Sequence, residues 1–306
     1  MALGGNAMTS PQGEAGPGDQ ATAIAAAMDR IADLIAHGDD LVLTHGNGPQ
    51  VGNLLVKNEM AAAVVPPVPL DWCVAQTQGS IGFLLLGALE RSLSARGLRR
   101  PAAALVTRTL VDGTDTGFTH PVKPIGRYLP ADEAAALIEH GQTWQDRGPR
   151  GWRRVVASPE PLEILDAAAA LALVAAGYVV VATGGGGIPC VRNEDGSVTG
   201  VEAVIDKDLA AALLARTVLA DVLVIATDVE HVAVGFGTAQ QRPLERVGVG
   251  ELRALAAQGE FASGSMGPKV EAVCRFVEAG GRYAAICALD SIAEAAHGRR
   301  GTVVLA

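Results

Sequence analysis

Short runs of Val, Leu, Ile and Ala that end in a glycine-rich turn and lead into a helix recur along this 306-residue chain. That rhythm predicts repeated βα units, whose parallel strands are buried on both faces and so read as unbroken apolar runs. Strands are expected at 41–44, 103–107, 178–183, 222–227, 284–288 and 302–305. Helices are expected at 21–36, where Ile24, Met28, Ile31 and Ile35 share one stripe, and at 81–96, 162–176, 208–216, 251–258 and 269–280. Residues 191–201 read as a hairpin turning at Asp195-Gly196. Between 110 and 155 the rhythm lapses into Gly, Pro, Asp and Trp with one short helix at 131–140, which predicts a small inserted subdomain. Aromatic residues are only 4% of the chain against 49% hydrophobic, so the core must be aliphatic, as an α/β fold allows. The length suits two domains or one two-lobed unit.

A formal net charge of −9 disfavours nucleic acid and anionic membranes as partners. The longest uncharged apolar run, 167–182, is shorter than the ~18–20 residues a span needs and is broken by Gly177. The first residues lack the basic region of a signal peptide. Cys73, Cys190, Cys274 and Cys287 show neither C-x-x-C nor zinc spacing, so they are expected to be reduced, buried thiols of a cytoplasmic protein with no protein-held metal.

Against that negative field an anionic ligand must be drawn in by local cations. Of 24 basic residues only four are lysine, the rest arginine. Lys57 lies within a helix and reads as surface. Lys123, Lys207 and Lys269 lie in loops dense with Gly, Pro or Asp. Glycine-containing loops at Gly4-Gly5-Asn6, Gly46-Asn47-Gly48, 184–187 and 264–267 alternate with them. Taken singly, each loop is a tight βα turn and each lysine a solvated charge. Together they point to phosphate, because glycine lets backbone N–H groups approach an anion and lysine neutralises it as a compact point charge. The G-x-x-x-x-G-K-[ST] string of P-loop enzymes is absent. The 184–189 segment has Pro189 at its sixth position and leads into a hairpin, unlike a dinucleotide fingerprint.

Along nearly its whole length the chain resembles the carbamate kinases of the amino acid kinase superfamily. The resemblance rests on Ala2-Leu3-Gly4-Gly5-Asn6-Ala7, the 44–53 string beginning Thr44-His45-Gly46-Asn47, Gln78-Gly79-Ser80-Ile81-Gly82, Lys123-Pro124-Ile125-Gly126, the segments 151–156, 184–189 and 200–208, and 264–269. It implies a three-layer αβα sandwich with a largely parallel central sheet and a small protruding subdomain at about 112–157. It also implies a first lobe at 1–212 for carbamate or carbamoyl phosphate, a second at 213–306 for ATP or ADP, and a homodimer. Lys123 would reach in from the subdomain, Lys207 and Lys269 would contact the transferring phosphate, and Asp208 would orient the lysines. Gly4, Gly5, Asn6, Gly46, Asn47 and Gly48 would cradle substrate through backbone N–H groups, with Thr227, Asp228, Met266 and Gly267 bordering the nucleotide. Mg²⁺ would arrive with the nucleotide phosphates. The alternatives are another kinase of the superfamily, with a larger acceptor, or a non-catalytic binding protein on the same fold.

Carbamate is already an anion, so its phosphorylation needs no general base. Positioning and charge neutralisation suffice. His45 is therefore expected to hydrogen-bond its own loop, Asp208 to cap a helix as well as serve the site, Glu202 to be a solvated turn residue, and Trp72, Trp144 and Trp152 to pack. The chain departs from the family pattern at Val122, Ala157 and Cys190. The larger departure is that only Met1 precedes Ala2 where a run of apolar strand residues is usual. Three missing Val or Ile side chains at ~1.5–3 kcal/mol each would weaken a central strand severely, which raises the expectation of a start further upstream.

Overall fold

The computed structural model describes residues 1–9, 16–261 and 265–306. Its centre is an eight-stranded sheet in the order β15 (Arg246–Gly248), β17 (Thr302–Leu305), β16 (Tyr283–Ala288), β12 (Val222–Thr227), β1 (Ala2–Leu3), β2 (Val42–His45), β9 (Val179–Val181), β3 (Ala102–Ala104). All neighbours are parallel except β16 and β17. Strand alternation sends successive side chains to opposite faces. Leu3, Leu43, Val181, Val224 and Cys287 meet α1 (Pro17–Ala36), α3 (Leu70–Ala95) and α9 (Ile292–Ala296) on one side. Ala2, Leu223, Ile225 and Ile286 meet α6 (Lys207–Thr217), α7 (Val249–Ala257) and α8 (Met266–Glu278) on the other. The aliphatic αβα sandwich is therefore as expected. Ile24, Met28, Ile31 and Ile35 of α1 are all buried.

Two smaller sheets flank it: β11 (Val198–Gly200), β10 (Ile188–Arg192), β4 (Arg108–Leu110), β8 (Glu163–Ile164), and the hairpin of β13 (Val232–Val234) and β14 (Arg242–Leu244). The irregular stretch is a separate unit of β5 (Lys123–Leu129), β7 (Trp152–Val156) and β6 (Trp144–Asp146) with α4 (Ala131–Glu139). It packs on α2 (Gly48–Ala61), and α5 (Ala167–Ala175) covers β9.

Several local readings need correction. Helix α3 begins at Leu70 rather than 81, because Pro69 starts it and Leu70, Cys73 and Val74 supply another buried turn. Its length and apolarity would suffice to cross a bilayer, but half of its most apolar stretch is buried in this fold. Residues 163–164 are a strand and the helix after them starts only at Ala167, since Glu163 and Ile164 pair with β4. Trp72 is 60% exposed rather than packed. Glu202 is exposed, yet its carboxylate accepts the Leu70 N–H at 3.0 Å and so supports the start of α3.

Strand β1 has only two residues, although it lies between β12 and β2. Ala2 is opposite Ile225 and Thr44, and Leu3 opposite Ala226 and His45. The Met1 ammonium is buried and donates to the Val42 carbonyl at 2.9 Å. Burial, with Lys207 adding to it, lowers its pKa to about 5. Beyond it lies a cavity of about 420 Å³ bordered by Met1, Leu41, Val42, Val222 and Leu223.

Candidate functional site

Four adjacent parallel strands, β12, β1, β2 and β9, end side by side, and the loops leaving them carry Gly4 to Asn6, Gly46 to Gly48, the 184–187 glycines, and Thr227 and Asp228, whereas Lys123, Lys207, Asp208, Met266, Gly267 and Lys269 come in on β5, α6 and α8. In open α/β sheets, ligands bind beyond the carboxyl ends of the strands. The Gly4 N–H bonds to the Ala226 carbonyl at 3.0 Å, and the Gly46 N–H to that of Leu3 at 3.2 Å, so the first two loops continue the sheet's pairing. Residues 5–8 then form a single 3₁₀ turn. The side chain of Asn6 and residues 262–264, which include Gly264 of the last glycine loop, lie outside the described residues.

The third loop is held from below. Thr183 adopts φ 50°, a left-handed conformation that costs a β-branched residue energy. Its N–H donates to Thr107 Oγ1 at 2.6 Å and its carbonyl accepts from Thr44 Oγ1 at 2.9 Å. The Gln78 amide receives the Thr107 N–H at 2.8 Å and donates to the carbonyls of Thr107 and Gly184 at 3.1 and 2.9 Å. Gly184 must be glycine because a Cβ there would lie 2.3 Å from His45 Nε2. Gly187 combines φ +90° with a Cβ position 1.9 Å from Thr109 Oγ1.

Buried His45 places Nδ1 2.8 Å from the Gly46 carbonyl. A carbonyl only accepts, so Nδ1 carries the proton. Burial lowers its pKa to about 4, with the Lys207 charge acting in the same direction, and the ring is neutral at pH 7. The Asn47 amide donates to Thr77 Oγ1 at 2.9 Å, so its side chain braces α3.

The cations gather at two helix starts. Helix α6 is capped by Asp206, whose Oδ1 accepts the N–H groups of Asp208 and Leu209 at 2.9 and 3.3 Å. The cap is thus Asp206, not Asp208 as the sequence suggested. Asp208 sits inside the first turn with its carboxylate turned inward. It is 3% exposed, and it accepts from Lys207 Nζ at 2.5 Å on one oxygen and from Lys269 Nζ at 3.2 Å on the other. Lys269, on the first turns of α8, also donates to the Ser265 carbonyl at 3.3 Å. The Lys207 stem runs beside Gly46, where a Cβ would come within 3.3 Å of its Cδ. Burial lowers the Lys207 pKa, opposed by Asp208 and reinforced by Lys269. From the subdomain, Lys123 Nζ reaches Asp206 Oδ2 at 2.6 Å. Burial alone would raise the Asp206 carboxyl, but the Lys123 charge and hydrogen bond override it and bring it down to about 2.

Lys123, Lys207 and Lys269, which stand at the starts of β5, α6 and α8 rather than in loops, thus meet through two carboxylates at the start of α6, while Lys57 is exposed on α2. Thr227 and Asp228 follow β12, where Thr227 Oγ1 donates to Asp228 Oδ1 at 3.0 Å, and Met266 and Gly267 open α8. Sequence reasoning gave no role to Gln78, Thr77 or Thr183. Two neighbouring polar residues at buried positions of an apolar helix were the available signal for the first two. No local signal marks a threonine for positive φ.

A strained glycine loop, two helix N-termini and buried lysines at the ends of parallel strands define a phosphate-handling α/β enzyme. The amino acid kinase family model matches residues 1–288, and the chain belongs to that family. Within it, the similarity is to the carbamate kinases. The carbamate kinase of Thermococcus kodakarensis is 43% identical, with 100% of this chain and 98% of that protein aligned. The carbamate kinase-like protein YahI of Escherichia coli is also 43% identical over 100% and 98%. The solved structure of the Giardia lamblia carbamate kinase bound to AMP-PNP superposes with a TM-score of 0.92 at 40% identity, covering 99% of this chain and 96% of that one.

Proposed function

We propose that the protein catalyses reversible phosphoryl transfer between carbamoyl phosphate and ADP, giving ATP and carbamate. In this direction a terminal phosphate oxygen of ADP attacks the phosphorus of carbamoyl phosphate, and the bond to the carbamate oxygen breaks with its electrons. No proton need move in the transfer itself, which suits a site whose one buried histidine is neutral and turned to its own loop. The obstacle is repulsion between two anions, and fixed positive charge is what lowers such a barrier.

The observation that carries this reading is the arrangement of Lys207 and Lys269 on the two oxygens of buried Asp208, with Lys123 brought alongside by Asp206. In this scheme Lys207 and Lys269 neutralise the transferring phosphoryl group, Lys123 covers it from the subdomain, and Asp208 keeps both lysines oriented. The backbone N–H groups of Gly4, Gly5, Asn6, Gly46, Asn47 and Gly48 would hold the carbamoyl phosphate side within the 1–212 lobe. Thr227, Asp228, Met266 and Gly267 would border the nucleotide within 213–306. Among the described residues no three His, Cys, Asp or Glu side chains stand together as a metal cage. A Mg²⁺ ion would come with the nucleotide and would screen its phosphate charge.

The stripe of α3 bearing exposed Trp72 and Phe83, next to exposed Val106 beyond edge strand β3, supports a homodimer, which light scattering would measure. Four unpaired cysteines support a cytoplasmic location. The test is ATP formation from ADP, Mg²⁺ and carbamoyl phosphate in a coupled assay. Activity that Lys207→Ala abolishes is the expected result. A folded protein that makes no ATP would overturn the assignment.

A further inference from the structure

The subdomain carrying Lys123 has its own sheet and is joined to the body by two chain crossings. Its orientation must therefore come from contacts. One is a backbone pivot: Gly126 of β5 lies against Gly52 of α2 so closely that a Cβ on Gly52 would fall 2.1 Å from Gly126 Cα. Ile125 packs there with Val51, Cys73 and Val204. Gln142 and Arg154 of the subdomain also bond Glu59 of α2, at 2.8 and 3.0 Å, and hold the α2 side. On the far side of the pivot, Lys123 makes the only ion pair among the described residues that joins the subdomain to the start of α6.

We propose that Asp206 is a positioning residue that sets the subdomain over the phosphate site by dividing one carboxylate between the α6 cap and Lys123. Oδ1 holds the N–H groups of Asp208 and Leu209, and Oδ2 holds Lys123 Nζ at 2.6 Å. The same carboxylate thereby ties Lys123 to the helix turn that presents Lys207 and Asp208. Three lysines face two carboxylates, so these five groups sum to 3 − 2 = +1 before any ligand arrives. An incoming phosphate oxygen then shares Lys123 with Asp206 instead of having to draw the Lys123 edge of the subdomain toward α6. This inference rests on the kinase reading for its kinetic arm only.

Asp206→Ser separates the two duties, because serine caps helices as well as aspartate does but lacks the reach to Lys123. The expected result is unchanged hydrogen exchange in α6, because the cap is kept, with faster exchange of the amides at 123–129 and 152–156 and a lower urea midpoint at pH 7 from the lost pairing with Lys123. In the coupled assay kcat should fall roughly 10- to 100-fold, by loss of an interaction made with the transferring group. The decisive arm is a double-mutant cycle: if Asp206 acts through Lys123, Asp206→Ser should have almost no further effect in a Lys123→Ala background. Multiplicative losses in the cycle, or subdomain exchange that stays at the wild-type rate, would overturn the proposal. A wild-type protein without ATP-forming activity would sink the kinase assignment, and the exchange measurement alone would then decide the latch.

Discussion

His45 offers a test that separates a structural histidine from a catalytic one. Its pKa is lowered from 6.5 to about 4 by burial. A depressed folded pKa means that neutral His45 contributes stability that is full above pH 6.5 and is lost as the pH falls toward 4, because the unfolded chain takes up the proton first. The whole span is worth about 3.4 kcal/mol at 1.36 kcal/mol per pH unit, and the part between pH 7 and pH 5 is about 2 kcal/mol. His45→Asn keeps an N–H near the Gly46 carbonyl but cannot titrate. Urea denaturation of both proteins at pH 7 and pH 5 is the assay. The variant loses some packing against Gly184 at every pH, so absolute stability is not the readout. The wild type should lose about 2 kcal/mol more than the variant on going from pH 7 to pH 5. The buried Met1 amine and all carboxylates titrate in both proteins and cancel. Equal pH dependence would refute the neutral, buried state. A loss of kcat approaching the ~10²–10⁴-fold of a general base would refute the claim that the transfer needs none.

Asp208→Asn should leave Lys207 and Lys269 facing each other without their shared counter-charge. Breaking a buried ion pair costs about 3–5 kcal/mol, so a fall in urea midpoint and a loss of ATP formation at all nucleotide concentrations are expected. Gly187→Ala should distort the third loop, since the added Cβ overlaps Thr109 Oγ1 at an unfavourable positive φ; thermal melting should drop, and Thr109→Ser should not relieve it. Adding Val-Val ahead of Met1 should raise the melting temperature by filling the cavity beside Val222 and Leu223, at up to ~1.5–3 kcal/mol per buried side chain. It should also flatten the stability profile between pH 5 and 8, where the Met1 amine, lowered to about 5, now titrates on unfolding.

The βα rhythm was legible because it depends on local pattern. Apolar runs marked β2, β9, β12 and β16, the first two closed by glycine, and the lapse of that pattern marked the subdomain. The scarcity of lysine made Lys123, Lys207 and Lys269 stand out before any contact was known. Boundaries failed where long-range pairing or capping overrode local preference: Glu163 and Ile164 are strand because β4 lies beside them, and α3 extends back to Leu70 because Pro69 opens it and Glu202, remote in sequence, receives its first N–H.

Residue types and their order thus determined the αβα class and which cations would matter, since helix and strand periods and side-chain charge are properties of short segments. Which carboxylate holds which lysine was decided only in three dimensions. Asp206 and Asp208 are interchangeable on paper, two acids flanking one lysine. They part because the first turn of a helix points one outward, to cap its own N–H groups and meet Lys123 from 83 residues away, and turns the other inward, to lie between Lys207 and Lys269 in the space where four strands end.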